Sequence, residues 1–360
     1  MRHRLFVLFL VLALDARLPV WSQEMTTPVA GQRLSINQPI IDREAMIRKC
    51  LEQLQREAYD SVLANSVFLR EQNPDDPVGY FLAADTYHTM MRDYRVPRFE
   101  AQFHSLIRRT IQVAQKTLKR HPTAQGYFLL GSAEGYRCLH LFRRGQRLKA
   151  IKSAMTSVAY LRLAHDLEPD FADPLLGLAL YDYTRNKIPA LGWFISGKTI
   201  ATGLERVERE GRYISLSARY ARQVVYFETG DIAGAWTINE WLYQRYPHKP
   251  GCLYNRALLL ERMNRPMEAI PVWQQLIARI EGFGQPSNGY LAECHYRLAV
   301  LWERTGALDQ AETHIEKARA YATRYRSDEE MDGPYVSFEE TSKAIAGAIR
   351  ENEKREIAKR

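Results

Sequence analysis

A period of 34 residues constrains this chain more than any other feature of its sequence. Within residues 216–276, four of five marker positions keep their size class 34 residues later. The first set is Tyr226, Gly230, Ala235, Leu242 and Pro247, and the second is Leu260, Asn264, Ala269, Leu276 and Glu281. A third copy carries Trp302, Gly306, Ala311 and Ala318 after an eight-residue insert at 281–288. A repeat of this length predicts units that stack on their neighbours, so the chain does not need one large core.

Each repeat reads as two helices joined by a polar turn. Leu253, Ala257 and Leu260 stand at i, i+4 and i+7, which places them on one stripe of a helix. Asn264 lies where the chain must reverse, and a second apolar stripe follows it. No useful length of sequence alternates with the period of two that strands require. The chain is therefore predicted to be all-α.

This pattern resembles the tetratricopeptide-repeat superfamily, in which small residues stand where two helices touch. The phrase at 168–183 is also similar to a block found in exported bacterial repeat proteins of unassigned activity. The resemblance implies a right-handed α-solenoid of about seven helix pairs with a C-terminal capping helix. It also implies a concave groove that binds a peptide or protein segment, and it implies no chemistry.

The chain divides into five parts by composition and register. Turns at 73–77, 121–123 and 168–170 recur at spacings of 48 and 47, so the helices of the N-terminal half are predicted to be longer. The parts are a signal peptide at 1–22, an extended lead-in at 23–41, irregular repeats at 42–212, regular repeats at 213–326, and a linker with a charged C-terminal helix at 327–360. Ser337 and Glu340 form a capping box for that last helix.

Residues 1–22 have the pattern of a cleaved export peptide. Arg2 and Arg4 are followed by ten apolar residues at 5–14, and small residues at 20 and 22 precede Gln23. Ten helical residues span ~15 Å, about half of a bilayer core, which argues against a membrane anchor. We expect an exported protein, periplasmic or otherwise extracytoplasmic, whose mature chain begins at Gln23.

One stretch matches a nucleotide-binding motif. Residues 192–199 read G-x-x-x-x-G-K-T, but Pro189 stands in the place of the strand that should precede a P-loop. Bulky side chains crowd the loop, and no parallel sheet surrounds it. A nucleotide-binding enzyme therefore stays only a remote alternative, and we predict no enzyme activity and no cofactor.

The cysteines and histidines indicate no metal or redox site. The four cysteines form no C-x-x-C, and Cys252 and Cys294 hold the same place in adjacent repeats. Neighbouring helices lie farther apart than a disulfide allows, which favours buried thiols over a bridge. His121, His140 and His165 are scattered singly, and H-E-x-x-H is absent from the sequence. We predict no bound metal.

Three surfaces are candidates for partner binding. The first is the concave groove, where tyrosines recur in three successive units; its lining is Tyr220, Val224, Phe227, Tyr254, Leu258, Glu261, Tyr296, Val300 and Glu303. The alternative that these tyrosines only pack between units stays open. The second is a basic run for an anionic partner, made of Arg137, Arg143, Arg144, Arg147, Lys149 and Lys152. The third is an apolar docking loop with Leu191, Trp193, Phe194 and Ile195, which either fills a gap or contacts a partner or membrane.

These features favour an exported, non-enzymatic scaffold or adaptor that binds a protein or peptide. The main alternative is a soluble subunit of an envelope transport or assembly complex. Peripheral membrane contact is a further hypothesis, and nucleic acid is not expected as a partner of an exported chain. The net charge of +8 allows an anionic partner without requiring one.

Overall fold

Fifteen helices and no strand make up the part of the chain that the computed structural model describes, residues 42–186 and 197–359. They are α1 (Arg43–Gln55), α2 (Tyr59–Gln72), α3 (Val78–Tyr94), α4 (Glu100–Leu118), α5 (Ala124–Arg143), α6 (Arg147–Leu167), α7 (Pro174–Asn186), α8 (Gly197–Glu210), α9 (Ser215–Thr229), α10 (Ile232–Arg245), α11 (Pro250–Arg262), α12 (Pro266–Glu281), α13 (Asn288–Arg304), α14 (Leu308–Ala322) and α15 (Phe338–Lys359). Each helix packs against the next along the chain. The predicted all-α solenoid of about seven helix pairs with a C-terminal helix is confirmed.

The turn inside each regular repeat requires one residue in the left-handed backbone region. Gly230 and Gly306 have φ of 86° and 82°, and Asn264 has φ of 58°. These are the positions that the 34-residue alignment places at equivalent sites in three units. Glycine reaches this region without a Cβ clash, and asparagine tolerates it better than most residues. The turn chemistry therefore sets where the first helix of each regular pair ends.

Helix starts also follow local signals in the sequence. Pro250 and Pro266 stand at the beginning of α11 and α12, where a missing N–H costs nothing. The predicted capping box is confirmed: the Glu340 N–H donates to Ser337 Oγ at 3.2 Å, and the Ser337 N–H donates to Glu340 Oε2 at 3.0 Å. The eight-residue insert falls between α12 and α13, so it lengthens a connection without breaking a helix.

Small residues bring the paired helices of the regular repeats together. Ala257 on α11 and Ala269 on α12 are fully buried, and so is Trp273 one turn further along α12. These residues share one continuous core that runs from α9 to α13. Burying a large apolar side chain contributes about 2–3 kcal/mol, so stacking of units supplies much of the stability that one pair lacks.

The four cysteines are buried free thiols, as the sequence favoured, and Cys252 and Cys294 are not bridged. Burial raises the pKa of Cys252 to about 12, which keeps its thiol protonated and unreactive. None of the described helices combines the length and the apolar content needed to cross a membrane. The signal peptide, the lead-in to residue 41 and the apolar loop lie outside the described residues.

Candidate functional site

The three tyrosines of the predicted groove lie in three different environments. Tyr254, at the centre of the regular repeats, is only 2% exposed. Tyr220 is half-buried against the core between α10 and α11, and Tyr296 packs on the core that α13 shares with α14 and α15. The sequence placed these side chains on one open surface. In the structure, neighbouring helices and loops cover Tyr254, while Tyr220 and Tyr296 stay half-buried, so the three rings do not form one open ladder.

The chain's own Arg95 occupies the space above Tyr254. Arg95 follows the last residue of α3 and has φ of 56°, a left-handed conformation that turns its side chain into the C-terminal repeats. Its guanidinium carbon lies 3.6 Å from the ring centroid of Tyr290 and 4.9 Å from that of Tyr254. Arg95 Nη1 donates to Glu293 Oε2 at 2.7 Å, and the two side chains are 5% and 2% exposed. Arg95, which lies 198 positions before Glu293 in the sequence, therefore fills the centre of the groove.

Glu293 connects the arginine to the tyrosine. The Tyr254 hydroxyl donates to Glu293 Oε1 at 2.7 Å, and Arg297 Nη2 lies 3.8 Å from the same oxygen, while Oε2 accepts from Arg95. Burial, and then the charge of Glu293, raises the pKa of Tyr254 well above its ordinary value. Burial opposes the charge of Arg95, yet Glu293 and the two phenols together raise the pKa of that guanidinium. Both groups keep their usual protonation in a space without solvent.

The linker before α15 forms a second cover over the groove. The Tyr335 ring stacks on Tyr254 at a centroid distance of 6.1 Å and contacts Phe227 at 5.2 Å. The Met331 N–H donates to the Arg95 carbonyl at 2.9 Å. Gly333 packs so closely that a Cβ there would lie 2.8 Å from the guanidinium. The middle of the predicted groove is thus an internal contact of the chain.

The rest of the predicted groove lining divides between core and edge. Phe227 and Leu258 are buried at 9% and 5% exposure. Glu261 accepts from Trp273 Nε1 at 2.7 Å and pairs with Arg297 at 3.1 Å, while burial raises the pKa of its carboxyl. Val224 and Val300 are half-buried, and Glu303 is exposed. Packing between units, the alternative reading, describes the tyrosines, and whether the open edge binds a partner stays a prediction.

Further contacts hold α1–α3 against the C-terminal repeats. Lys249 Nζ lies 3.0 Å from Asp93 Oδ2, and both side chains are 3% exposed. Two more pairs link α1 and its following turn to later helices: Tyr246 donates to Glu52 at 2.9 Å, and Arg279 pairs with Glu57. A buried ion pair requires precise geometry, so these contacts fix one curvature of the solenoid.

The predicted basic run divides between side chains at the α4–α5 contact and side chains exposed on α6. Arg143 and Arg144 both pair with Glu100 on α4, and Arg137 pairs with Glu134 at 2.7 Å. The other three members, Arg147, Lys149 and Lys152, are exposed on α6. Apolar side chains stand among them, with Leu148 at 84% and Met155 at 38% exposure. The predicted surface included only the cations, although the spacing of seven residues between Leu148 and Met155 signals a shared helix face.

One group of histidines is not scattered, contrary to the sequence-based expectation. His140 on α5 lies beside His88 on α3, with 3.2 Å between His88 Nδ1 and His140 Nε2. Glu100 and His104 on α4 complete the cluster, and their ligand atoms and that of His140 lie within 4.8 Å of one another. Burial lowers the pKa of His104 and of His140 to about 4, so both rings are neutral at pH 7. The spacing of four between Glu100 and His104 was visible in the sequence, but the approach of His140 was not.

Comparison with known proteins finds a similarity of fold to solved structures. No family model and no curated protein matches this chain. A chain of the crystallised APC/C hetero-tetramer Cut9–Hcn1 is similar at 13% identity and a TM-score of 0.52, covering 80% of this chain and 48% of that one. This protein therefore spans about half the length of that neighbour.

Two bacterial structures are also similar in part. A tetratricopeptide repeat protein from Parabacteroides merdae is 13% identical over 84% of this chain and 98% of that chain, with a TM-score of 0.38. The C-terminal part of a TPR repeat-containing protein from Cytophaga hutchinsonii is 12% identical over 78% and 97%, with a TM-score of 0.40. At 13% identity, the likeness to the hetero-tetramer chain is one of fold alone.

Proposed function

We propose that this chain is an exported, non-enzymatic scaffold that binds an acidic segment of another protein on the outer face of α6. The observation that carries the proposal is the exposed mixture of cations and apolar side chains on that face. Lys149 and Lys152 supply charge, and Leu148 and Met155 supply apolar contact area. Residues 135–165 contain no Asp or Glu that could neutralise them from within the segment.

Charge and apolar area together suit a protein segment. Exposed cations steer an acidic partner toward the face and select against basic ones. Leu148, at 84% exposure, leaves a large apolar side chain in water, which a partner could cover. Affinity then comes from burying apolar surface, and specificity comes from the surrounding charges.

The concave groove is the second candidate site. A segment bound at its centre would have to displace Arg95 and Tyr335, which fill that space through a buried ion pair and stacked rings. Breaking a buried ion pair of this kind costs several kcal/mol of free energy, and that cost would weaken the binding of a segment in the groove. Only its open edge, near Val300 and Glu303, is accessible without that rearrangement.

Site-specific photocrosslinking in cells tests the choice between these surfaces. A benzophenone amino acid at Leu148 is expected to give a discrete protein adduct. The matched control is Leu308, an exposed leucine at 52% that also stands at the start of a helix, and it should give none. Combined Lys149→Glu and Lys152→Glu substitutions should reduce the Leu148 adduct ~10-fold, since each rim charge contributes up to ~1 kcal/mol. An unchanged adduct in the charge-reversed protein, or an adduct only from a probe at Val300, would reject the α6 face.

Export has a separate test. Because residues 1–22 have the composition of a cleaved signal, we expect the protein recovered from the cell envelope to begin at Gln23. N-terminal sequencing or intact mass measures this directly. Material that retains Met1 would contradict cleavage. The scaffold proposal would then depend on the crosslinking result alone.

A further inference from the structure

Ligand atoms of Glu100 and His104 on α4 and of His140 on α5 converge within 4.8 Å of one another. His104 Nε2 and His140 Nδ1 are buried and have no hydrogen-bond partner, and His140 Nδ1 lies 3.5 Å from Glu100 Oε1. Buried polar atoms are normally hydrogen-bonded, so two unpartnered imidazole nitrogens beside a carboxylate call for a ligand. The nearest charged neighbour is the Arg143 guanidinium, which lies against Glu100 Oε1.

The backbone and the surrounding rings orient this donor set. Glu100 and His104 stand one helical turn apart on α4, so their side chains project from the same face. The His140 ring stacks on Phe103 at a centroid distance of 4.0 Å, which holds its plane. His140 Nε2 lies 3.2 Å from His88 Nδ1, and when Nε2–H donates there, Nδ1 carries a lone pair toward Glu100 and His104. Metal-binding histidines are held in the same way, through a hydrogen bond at the second ring nitrogen.

We propose that Glu100, His104 and His140 bind a divalent transition metal ion of the zinc type. Two imidazole nitrogens and one carboxylate oxygen form a ligand set that suits Zn²⁺ and related borderline ions, and three protein ligands leave a fourth position for water or for a partner's side chain. The hard ions Ca²⁺ and Mg²⁺ prefer sets made of oxygen, so the two histidines disfavour them.

Arg143 acts as a competitor for the carboxylate. Its guanidinium occupies the side of Glu100 that faces the histidines, and a bound ion would have to replace it there. Arg143 is the last residue of α5 and its side chain is 27% exposed, so it can turn into solvent without moving the helix. Arg144 Nη2 meanwhile holds the other oxygen, Glu100 Oε2, at 2.6 Å and keeps the carboxylate in place. The ion thus exchanges for one guanidinium, and the second remains as an outer support.

Cobalt titration of the chelator-treated protein tests the site. We expect one Co²⁺ per chain, seen by its visible absorption bands, and displacement of that ion by Zn²⁺. His104→Ala should weaken binding at least ~10-fold, because it removes one of three ligands. The matched control is His121→Ala, an exposed histidine beyond the end of α4, which should bind as the wild type does. Arg143→Ala should bind ~10-fold more tightly, since the competing cation is gone.

The Arg143 variant separates a metal site from a salt-bridge cluster. If Arg143 and Glu100 serve only to stabilise α4 against α5, Arg143→Ala binds no Co²⁺, and the proposal is rejected. Binding that survives His104→Ala would also reject the proposed site. Binding that is lost in His314→Ala instead would place the ion at the His295–His314 pair and would reject the site as well. Should His104→Ala lose helical circular dichroism, Glu100→Gln is the replacement test, with the same expected loss of Co²⁺ binding.

Discussion

Glu293→Ala is expected to lower the free energy of unfolding by about 3–5 kcal/mol, the largest loss that we anticipate from one charged residue of this chain. Removing the carboxylate leaves Arg95 buried without its counter-ion and leaves the Tyr254 hydroxyl without its acceptor. The contact between α3 and α13 that spans 198 residues is lost at the same time. Urea denaturation followed by circular dichroism measures the loss, and small-angle X-ray scattering should show a larger radius of gyration.

An exposed ion pair of similar geometry supplies the control. Lys116 Nζ lies 2.8 Å from Asp75 Oδ1, but both side chains are more than half exposed. Solvent screens such a pair, so Asp75→Ala should change the free energy of unfolding far less than Glu293→Ala does. Replacing both partners of the buried pair, as Arg95→Met with Glu293→Leu, should recover much of the stability, because no unpaired charge stays inside. Equal losses for Glu293→Ala and Asp75→Ala would contradict a buried connection across the solenoid.

Tyr254→Ala is expected to lower the free energy of unfolding by about 3–5 kcal/mol, as for other large aromatic side chains removed from a core. The ring contacts Trp273, Tyr290 and Tyr335, with centroids at 5.5, 5.8 and 6.1 Å, and the guanidinium of Arg95 lies over it. If Tyr254 instead lined an open groove, truncation would leave the thermal midpoint little changed and would weaken partner binding. Thermal and urea unfolding of the variant decide between the two.

Tyr254→Phe separates the ring from the hydroxyl. The phenylalanine keeps the stacking but leaves Glu293 Oε1 without its 2.7 Å donor, so we expect a loss of about 1–3 kcal/mol. A variant Tyr254→Ala that unfolds at the same urea concentration as the wild type would show that the ring is not a core residue. The groove would then have to be open in solution, and partner binding there would become the better proposal.

Local features of the architecture could be predicted because their causes lie within a few residues. The left-handed turns at Gly230, Asn264 and Gly306 follow from residue chemistry at one position each. The capping box of Ser337 and Glu340 follows from donors and acceptors three residues apart. Apolar spacing of three and four residues identifies helices and their buried faces for the same reason.

The candidate sites could be predicted only in part. Arg137, Arg143 and Arg144 belong to a basic run in the sequence, but acids on α4 and α5 neutralise them in the fold. Glu100 and His104 share a helical face that the sequence displays, whereas His140 joins them only because α5 packs beside α4. Charge and ligand patterns thus indicate which side chains exist on a face, without saying what packs against that face.

The repeat, the helix pairs and their turns can be read from the amino-acid sequence. The entry of Arg95 into the C-terminal repeats, and the linker at Gly333 and Tyr335 that covers it, can be seen only in the folded chain. A repeat pattern encodes contacts between one unit and the next, whereas the contacts of Arg95 join distant units. Small rotations between units add up along a solenoid, and their sum brings α3 against α11 and α13. No single motif in the sequence specifies that sum.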